Sequence, residues 1–203
     1  MGKAFTEQER EEVHETLRRT GLRLFSRKGI RGVSIRELSS AAGIAQGGFY
    51  SFYKDKDEFI VDLVELRVRE KLEGLLHHRE SSLNDPVHYL SDLFFQEGMH
   101  LKENKAFDNM ISGTLSFFHE EKKETHERIS HLYREFLENL KEYWIEHGYE
   151  VSMDVDGLMN LIRAVSIFFS NATLMDDAYF ERMFRRFCDV EVQEFLSVER
   201  RKN

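Results

Sequence analysis

The sequence has few of the residues that disulfide-rich, β-rich or membrane-spanning proteins need. Its single cysteine, Cys188, excludes a disulfide framework and a zinc site built on cysteines. There is one proline, and valine, isoleucine and threonine together number only 27 of 203 residues, which argues against a β-rich fold. No apolar run reaches the roughly 18 to 20 residues of a membrane span, and residues 1–5 carry no signal-peptide segment. We therefore expect a cytoplasmic protein that does not associate with membranes.

Charged residues, by contrast, are plentiful and unevenly distributed. They make up 33% of the chain, and the net charge is −8 at pH 7. Residues 1–56 carry a balance of +4, whereas residues 57–203 carry a balance of −12. A basic end on an otherwise acidic chain is typical of a region that binds nucleic acid. The first quarter of the chain is therefore the candidate nucleic-acid-binding region.

The first quarter has the pattern of three helices. Capping-box spacing at its start and a basic last turn before glycine predict a first helix over Thr6–Gly29. A second capping pair opens a short helix within Ser34–Gly43, and another short helix is expected over Gln46–Tyr53. Two short helices joined by a glycine-containing turn, behind a longer first helix, form a helix-turn-helix.

The rest of the chain is also expected to be helical. Asp55 and Glu58 form a third capping pair, which opens a helix to about residue 78 that is long enough to link two bodies. Pro86 suits the first position of a helix, because no amide hydrogen is needed there. The predicted fold class is therefore all-α. Further helices are expected at about 87–103, 106–119, 125–147, 154–175 and 178–199.

The segment Gln46–Phe59, QGGFYSFYKDKDEF, resembles the tetracycline-repressor (TetR) family of bacterial regulators. The similarity runs from about residue 16 to residue 63. It implies a three-helix DNA-binding head, here residues 1–54, and a larger helical body for effector binding and dimerisation, residues 55–203. The helix at 55–78 is then the linker between head and body.

Residues at the start of the second and third helices are the candidate DNA contacts. In helix-turn-helix proteins the first residues of the recognition helix lie near base edges, and an amide such as that of Gln46 pairs well with adenine N6 and N7. The resemblance favours a guanine or phosphate contact for Arg36. Phosphate contacts are expected from Tyr50, Lys56 and the backbone amide of Ser34. A surface charge for Arg36 and Lys56, and a packing role for Tyr50, are the alternatives.

The recognition helix departs from the family pattern in two places. Gly47 and Gly48, which complete the predicted DNA-binding set, stand where one glycine and a small side chain are usual. Each interior glycine costs about 1 kcal/mol relative to alanine, so we expect this helix to become ordered only on DNA. Phe52 and Tyr53 reverse the usual order of a polar residue followed by Phe, so Tyr53 is expected in the core.

Two apolar helices of the body are candidates for the dimer interface. Residues 155–175 are apolar nearly all round, which predicts a helix covered by the core and by a partner subunit. Residues 179–187 offer a second broad apolar face, and the pair resembles the dimer bundle of the family. Arg163 and Asn171 lie within the first helix, where an unpaired polar group is costly. We expect them either to pair internally or to meet the polar end of a ligand.

Aromatic and methionine side chains are dense between the linker helix and the dimer helices. Most belong to the core on this interpretation, but flexible methionines and large rings also line adaptable apolar pockets. The candidate effector-binding residues are Met99, Phe107, Met110, Phe117, Phe118, Phe136 and Trp144.

No spacing typical of a catalytic, metal or cofactor site is found, so we expect no enzyme activity, no metal and no cofactor. Cys188 is expected to be an inert packing residue. The leading interpretation is a homodimeric repressor that binds a palindromic operator in double-stranded DNA and is released by an apolar small molecule. An activator, or a regulator controlled by a protein partner, remains open. The alternative from another class is a small-molecule-binding protein or enzyme that retains the head as a relic.

Overall fold

The computed structural model describes residues 6–103, 123–170 and 176–201, with the side chains of 6–99, 127–165 and 176–201. The predicted helix at 106–119, the candidate residues Phe107, Met110, Phe117 and Phe118, and Asn171 lie outside these ranges. The elements are α1 (Glu7–Lys28), α2 (Ile35–Ala41), α3 (Gln46–Phe49), α4 (Lys56–His77), a 3₁₀ helix (Arg79–Leu83), α5 (Pro86–Glu103), α6 (Lys123–Glu146), β1 (Tyr149–Met153), α7 (Val155–Ser170), α8 (Asp177–Phe195) and β2 (Leu196–Arg200).

The described residues form two compact units, 6–67 and the remainder from 68 onward, so α4 contributes residues to both. From here on, residues 6–67 are called the head, and the remaining described residues are called the body. The prediction of an all-α fold class with an N-terminal helix-turn-helix is confirmed, with a small two-stranded sheet added to it. Within the described ranges, no helix is both long and apolar enough to cross a bilayer.

The head is built around a core of aromatic rings. Phe49 and Tyr53, which flank the recognition turn, each pack against the ring of Phe59 in α4, with ring centroids 5.6 and 4.9 Å away. Gly21 lets α1 pack closely against α4, because a Cβ at this position would lie 2.4 Å from the Phe59 ring. The expectation that Tyr53 belongs to the core is confirmed, and Leu38 and Phe49 are buried beside it. The buried apolar residues of the head are Leu17, Phe25, Val33, Leu38, Phe49, Tyr53, Phe59, Ile60, Val61, Leu63 and Val64.

Side-chain caps fix where the helices of the head begin. The Thr6 hydroxyl accepts from the Glu9 N–H at 3.2 Å, and Glu9 accepts from the Thr6 N–H at 2.8 Å, so the predicted capping box is confirmed. Before α4, Asp55 caps the Glu58 N–H at 2.8 Å. The Glu58 carboxylate accepts instead from the Lys54 N–H, at 2.7 Å, so this capping pair is offset by one residue.

The recognition helix is shorter than the sequence predicts. Helix α3 ends at Phe49 instead of continuing to Tyr53. Beyond it the backbone changes to tighter bonds, from the Ser51 N–H to the Gly48 carbonyl (3.2 Å) and from the Phe52 N–H to the Phe49 carbonyl (3.0 Å). Two adjacent glycines lower helix propensity, so α3 depends on contacts with the rest of the head.

Trp144 lies at the centre of the core of the body. Its side chain is fully buried, and its Nε1–H donates to the Ser82 hydroxyl at 2.7 Å. Ser82 in turn donates to the Arg79 carbonyl at 2.6 Å, which ties α6 to the 3₁₀ helix that the sequence analysis missed. Cys188 is also fully buried, and burial raises the pKa of its thiol to about 12. The predicted packing role of Cys188 is confirmed by its burial, and the raised pKa supports the prediction that the thiol is inert.

A two-stranded antiparallel sheet is the main feature that the sequence analysis missed. Strand β1 pairs with β2, with Val151 opposite Val198, so the expected helix to residue 199 is wrong beyond Phe195. In both strands buried or half-buried residues alternate with exposed ones, which is the period of a half-buried strand. Gly148, with φ of 88°, makes the turn into β1. The two strands are distant in sequence, so neither signals the other locally.

Helix α7 is not apolar all round in its described part. Its apolar residues up to Val165 are buried or half-buried, but Asp156, Asn160 and Arg163 form an exposed polar stripe. Arg163 donates to Asn160 at 2.7 Å, which confirms internal pairing for that residue. Because these three polar side chains are spaced by three and four positions, they fall on one helix face, and the rest of the described part of α7 is apolar. That a partner subunit covers this helix stays a prediction.

Candidate nucleic-acid interface

Apart from Lys56, the predicted base-reading and phosphate-contacting residues lie on exposed parts of the head. Ser34 is the N-cap of α2, where its hydroxyl accepts from the Glu37 N–H at 3.2 Å. Arg36 is exposed in the first turn of α2, and Gln46 is exposed at the first position of α3. Tyr50 comes directly after the last residue of α3, and 52% of its surface is exposed. The start of α2 therefore presents a guanidinium to solvent, the start of α3 presents an amide, and the end of α3 is followed by an exposed phenol.

The two glycines of α3 have no side chains, so part of the surface of this helix beside Gln46 is bare backbone. Gly47 is exposed, and a Cβ built there would meet no other atom within 4 Å. A Cβ at Gly48 would make ordinary contact with Ile44 at 3.6 Å. Neither glycine is therefore required by packing inside the head. Their effect is to bring backbone close to whatever lies against α3, and that α3 becomes ordered only on DNA stays a prediction.

Lys56 has a structural role in the head. Its ammonium group donates to the Ile30 carbonyl at 2.5 Å and lies 5.9 Å from the centroid of the Phe25 ring. Burial lowers the pKa of Lys56, and the nearby Asp57 carboxylate opposes that shift. Lys56 thus binds the loop after α1, and its phosphate contact stays a prediction that requires the side chain to turn outward.

The recognition segment comprises α3 and the turn after it, residues 46–53. A polar network at its end was not predicted from the sequence. Arg18 on α1 donates twice to Asp62 on α4, at 2.8 and 2.7 Å. The Tyr53 hydroxyl donates to the same carboxylate at 2.7 Å and lies 2.7 Å from Nε2 of His14. These residues come from three parts of the head and share no local motif. The one sequence signal was Tyr53 itself, a hydroxyl at a position expected to be buried.

The charges of this network hold one another in place. Burial opposes ionisation of Asp62, but the hydrogen bonds from Arg18 and Tyr53 outweigh it and leave the pKa of Asp62 below its usual value. The hydrogen bond to Asp62 raises the pKa of Arg18. Burial, together with the Asp62 carboxylate, raises the pKa of Tyr53, so its hydroxyl stays protonated as a donor.

One group of side chains in the described part of the head has metal-ligand chemistry. Ligand atoms of Glu11, His14 and Glu15 lie within 4.8 Å of one another, a cluster that the sequence analysis did not identify. Glu15 accepts from Arg18 at 3.1 Å, and His14 is bonded to Tyr53 through Nε2. Two of the three ligands therefore already serve hydrogen bonds of the head.

The candidate effector residues that the structure describes are mainly core residues. Trp144 and Phe136 are buried, and Met99 is half-buried against the same core. A surface cavity of about 450 Å³ lies elsewhere in the body, between the start of α5 and β2. Its lining includes Asp85, His88 and Ser197 and none of the predicted effector residues.

Helix α8 has an exposed apolar stripe on the side away from its buried face. Tyr179 and Val190 are each 56% exposed, and Met183 between them is half-buried. The buried face is formed by Phe180, Phe184 and Cys188. Large apolar side chains exposed at helical spacing are typical of a surface that another subunit covers.

Comparison with known proteins identifies the head. Residues 17–63 match the family model described as bacterial regulatory proteins, tetR family. The regulator AcrR of Shigella flexneri is 31% identical over 88 residues, which are 43% of this chain and 41% of AcrR. The matched region thus spans less than half the length of that relative.

Solved structures match nearly the whole chain in fold. A TetR transcriptional regulator from Rhodococcus sp. RHA1 has a TM-score of 0.68 at 15% identity, covering 93% of this chain and 99% of its own. RolR in complex with resorcinol has a TM-score of 0.66 at 17% identity, covering 94% of this chain and 90% of its own. Residues 17–63 therefore match the DNA-binding domain of the tetR family by sequence, and the chain shares the fold of solved TetR regulators.

Proposed function

We propose that this regulator is a repressor that binds a palindromic DNA operator as a homodimer and is released by an apolar small molecule. The observation that carries the proposal is the exposure of Arg36 and Gln46 at two successive helix starts, and of Tyr50 directly after the second helix, in the region that matches the family's DNA-binding domain. The operator is part of the chromosome, so the proposed site of action is the cytoplasm. Its proposed activity requires no chemical step, catalytic residue or cofactor.

Operator recognition divides between the two helix starts. Gln46 reads a base edge in the major groove, since a side-chain amide can both donate to and accept from adenine. Arg36 contacts a guanine or a phosphate, while Tyr50, Lys56 and the Ser34 amide fix the register through phosphates.

Dimerisation is supported by the exposed stripe of α8. Two heads must reach half-sites about one helical turn of DNA apart, which a single head cannot do. In a twofold dimer the same patch meets itself, so Tyr179, Met183 and Val190 of one subunit face the same residues of the other.

The effector is proposed to be apolar or aromatic. Support comes from the resorcinol that RolR binds. The proposed site is the one expected from the sequence around Met99, Phe136 and Trp144, which the structure describes as packed core. A ligand shifts the operator equilibrium only by binding one arrangement of the protein better than another. Because α4 carries residues of both units, it is the proposed connection between effector and head.

Selection from randomised duplex DNA tests the proposal. The full chain should enrich a sequence with twofold symmetry, and its affinity should fall steeply as salt rises, because phosphate contacts release counterions. Arg36→Ala should weaken binding, whereas Arg201→Ala, which removes an exposed arginine of the body, should not. Enrichment of no sequence by the wild type would contradict operator binding and favour the relic alternative.

Small-molecule release has its own test. Mass spectrometry of compounds that co-purify with the native protein supplies candidates, which are then titrated with and without operator. Operator should weaken effector binding by the same factor by which effector weakens operator binding. Equal effector affinity in both conditions would contradict release by that ligand.

A further inference from the structure

Helix α1 carries a stripe of side chains that grips the end of the recognition segment. Arg10, His14 and Arg18 are spaced by four residues and therefore lie on one face of the helix. Arg10 donates to the Ser51 carbonyl at 3.0 Å, and its guanidinium lies 4.9 Å from the centroid of the Phe52 ring. The ring of His14 stacks on Phe52, with centroids 5.8 Å apart and an interplanar angle of 8°.

Tyr53 joins this stripe to α4. Its hydroxyl has one proton, which it donates to Asp62, so the contact with His14 requires Nε2 of His14 to be the donor. Arg18 holds the same carboxylate with two parallel bonds, the geometry that fixes an Arg–carboxylate pair in orientation as well as position. The end of the recognition segment is thereby connected to two long helices at once.

The recognition segment has little else to hold its orientation. Helix α3 has four residues, two of them glycine, and Gln46 lies at its exposed start. A helix of one turn makes too few backbone bonds to be stable alone. Its position must therefore come from what lies after it and beneath it, namely the buried ring of Phe49 and the anchored Tyr53.

The hydroxyl of Tyr53 is not needed for packing. The residue is 5% exposed, and a phenylalanine ring would fill the same space. A buried hydroxyl is tolerated only when it is hydrogen-bonded, and here both of its contacts lead to groups on other helices. The bonds therefore add direction to a site whose volume is already filled.

From these contacts, and on the basis of the proposed operator binding, we infer that Tyr53 is a positioning residue. Through Asp62, Arg18 and His14 it holds the recognition segment so that Gln46 faces the major groove. Tyr53 itself is not a DNA contact.

The test compares two tyrosines in the full chain. Tyr53→Phe removes only the anchoring hydroxyl, and Tyr149→Phe is the matched control. Tyr149 is 6% exposed, and its hydroxyl donates to the Leu83 carbonyl in the body. Both variants are measured by fluorescence anisotropy on the selected operator and on a scrambled duplex, at a temperature where circular dichroism shows each to be fully folded.

Tyr53→Phe should weaken operator binding about tenfold, while binding to the scrambled duplex changes less than about twofold, because phosphate contacts do not need the exact orientation of α3. Tyr149→Phe should leave both affinities within about twofold of wild type. A purely structural role would lower the melting temperature without changing this preference of the folded protein. Operator affinity of Tyr53→Phe within about twofold of wild type would overturn the inference.

A second variant keeps the inference testable if Tyr53→Phe folds poorly. Asp62→Asn retains the shape of the acceptor but removes its charge, and by itself it should weaken operator binding while binding to the scrambled duplex changes less than about twofold. Where all variants fold, the double variant should lose operator affinity no further than Asp62→Asn alone. Additive losses would mean that the two residues act independently, which contradicts the proposed network. Failure of the wild type to prefer its selected operator would instead overturn the proposed function, so the two failures are distinguishable.

Discussion

The head and the body are held together in different ways. In the head, a small core of rings around Phe59 is completed by a charged network in which Arg18, Asp62 and Tyr53 satisfy one another. In the body, a larger apolar core surrounds Trp144, whose only polar atom is satisfied by Ser82. The head thus fixes an exposed surface by directional bonds. The body also has a charged network, in which Arg185 on α8 bonds to Asp92 on α5, but its largest buried side chains are held by packing. Loss of one hydrogen bond should disturb function in the head, and loss of volume should disturb stability in either.

The largest effect should come from emptying the core of the head alone. Phe49→Ala removes a fully buried ring and should lower the free energy of unfolding of the head by about 3 to 5 kcal/mol. Trp144 is the single tryptophan and lies in the body, so its fluorescence reports the body separately. Far-UV circular dichroism should show an early transition that the fluorescence does not follow. Coincident transitions by both probes would mean that head and body unfold as one unit.

The next largest effect should come from charging the exposed stripe of the body. Val190→Glu, or Tyr179→Glu, changes a side chain that is exposed in the single chain, so the fold should survive. The dimer should dissociate, and operator affinity should fall at least about a hundredfold as the linked second head is lost. Analytical ultracentrifugation with anisotropy measures both. Glu181→Lys, a charge reversal elsewhere on α8, is the control and should change neither.

Lowering the pH should destabilise the head of the wild type more than it destabilises the head of the Asp62→Asn variant. The folded pKa of Asp62 lies below its unfolded value, so the unfolded state takes up the proton first. This contribution to stability is present above about pH 4, and it is lost as pH falls through the folded pKa. Asp62→Asn should be less stable at neutral pH by roughly 1 to 3 kcal/mol and should show a flatter acid limb in denaturant titrations.

The matched control for this pH dependence lies in the body. Asp156→Asn alters an exposed carboxylate that pairs with Arg134 at 2.6 Å. It should leave the acid limb of the head unchanged. An acid limb as steep in Asp62→Asn as in the wild type would contradict the part assigned to Asp62.

The smallest effect should come from two glycines of the head, with opposite signs. Gly47→Ala adds a methyl group into open space within a helix and should stabilise α3 by up to about 1 kcal/mol. Gly43→Ala also meets no neighbour, but Gly43 has φ of 75°, where alanine is strained. Thermal unfolding should therefore shift upward for the first and downward for the second. A downward shift for Gly47→Ala would show that α3 requires glycine for a reason internal to the head.

The sequence predicted the parts of the molecule whose signals are local. Residues within one helical turn of one another were enough to predict the capping pair Thr6 and Glu9 and the helix ends at glycine. The same holds for the exposed positions of Arg36 and Gln46. Most bounds of the described helices in the body followed from the same local periodicity, but the end of α8 at Phe195 did not. The short α3 did not, because the tighter turn after Phe49 is set by packing against Phe59.

The features that the sequence did not predict join distant residues. Strands β1 and β2 pair residues about 45 positions apart, and the Tyr53 network unites α1 with α4. Lys56 was assigned to phosphate from the family pattern, but its bond to the Ile30 carbonyl depends on how the loop after α1 folds back. In the body, aromatic side chains such as Trp144 and Phe136 suit a ligand pocket and a core equally. Only their packing in the structure distinguishes a pocket from a core.

The most direct test of the central claim, that the exposed start of α3 reads DNA sequence, is a randomised-site selection with Gln46→Ala beside the wild type. The account predicts that the variant loses preference at one base pair in each half-site, by roughly 5- to 150-fold, and keeps the rest of the operator. Lys56→Ala, in contrast, should leave the selected sequence unchanged. A Gln46→Ala variant that selects the wild-type operator at every position would contradict the claim.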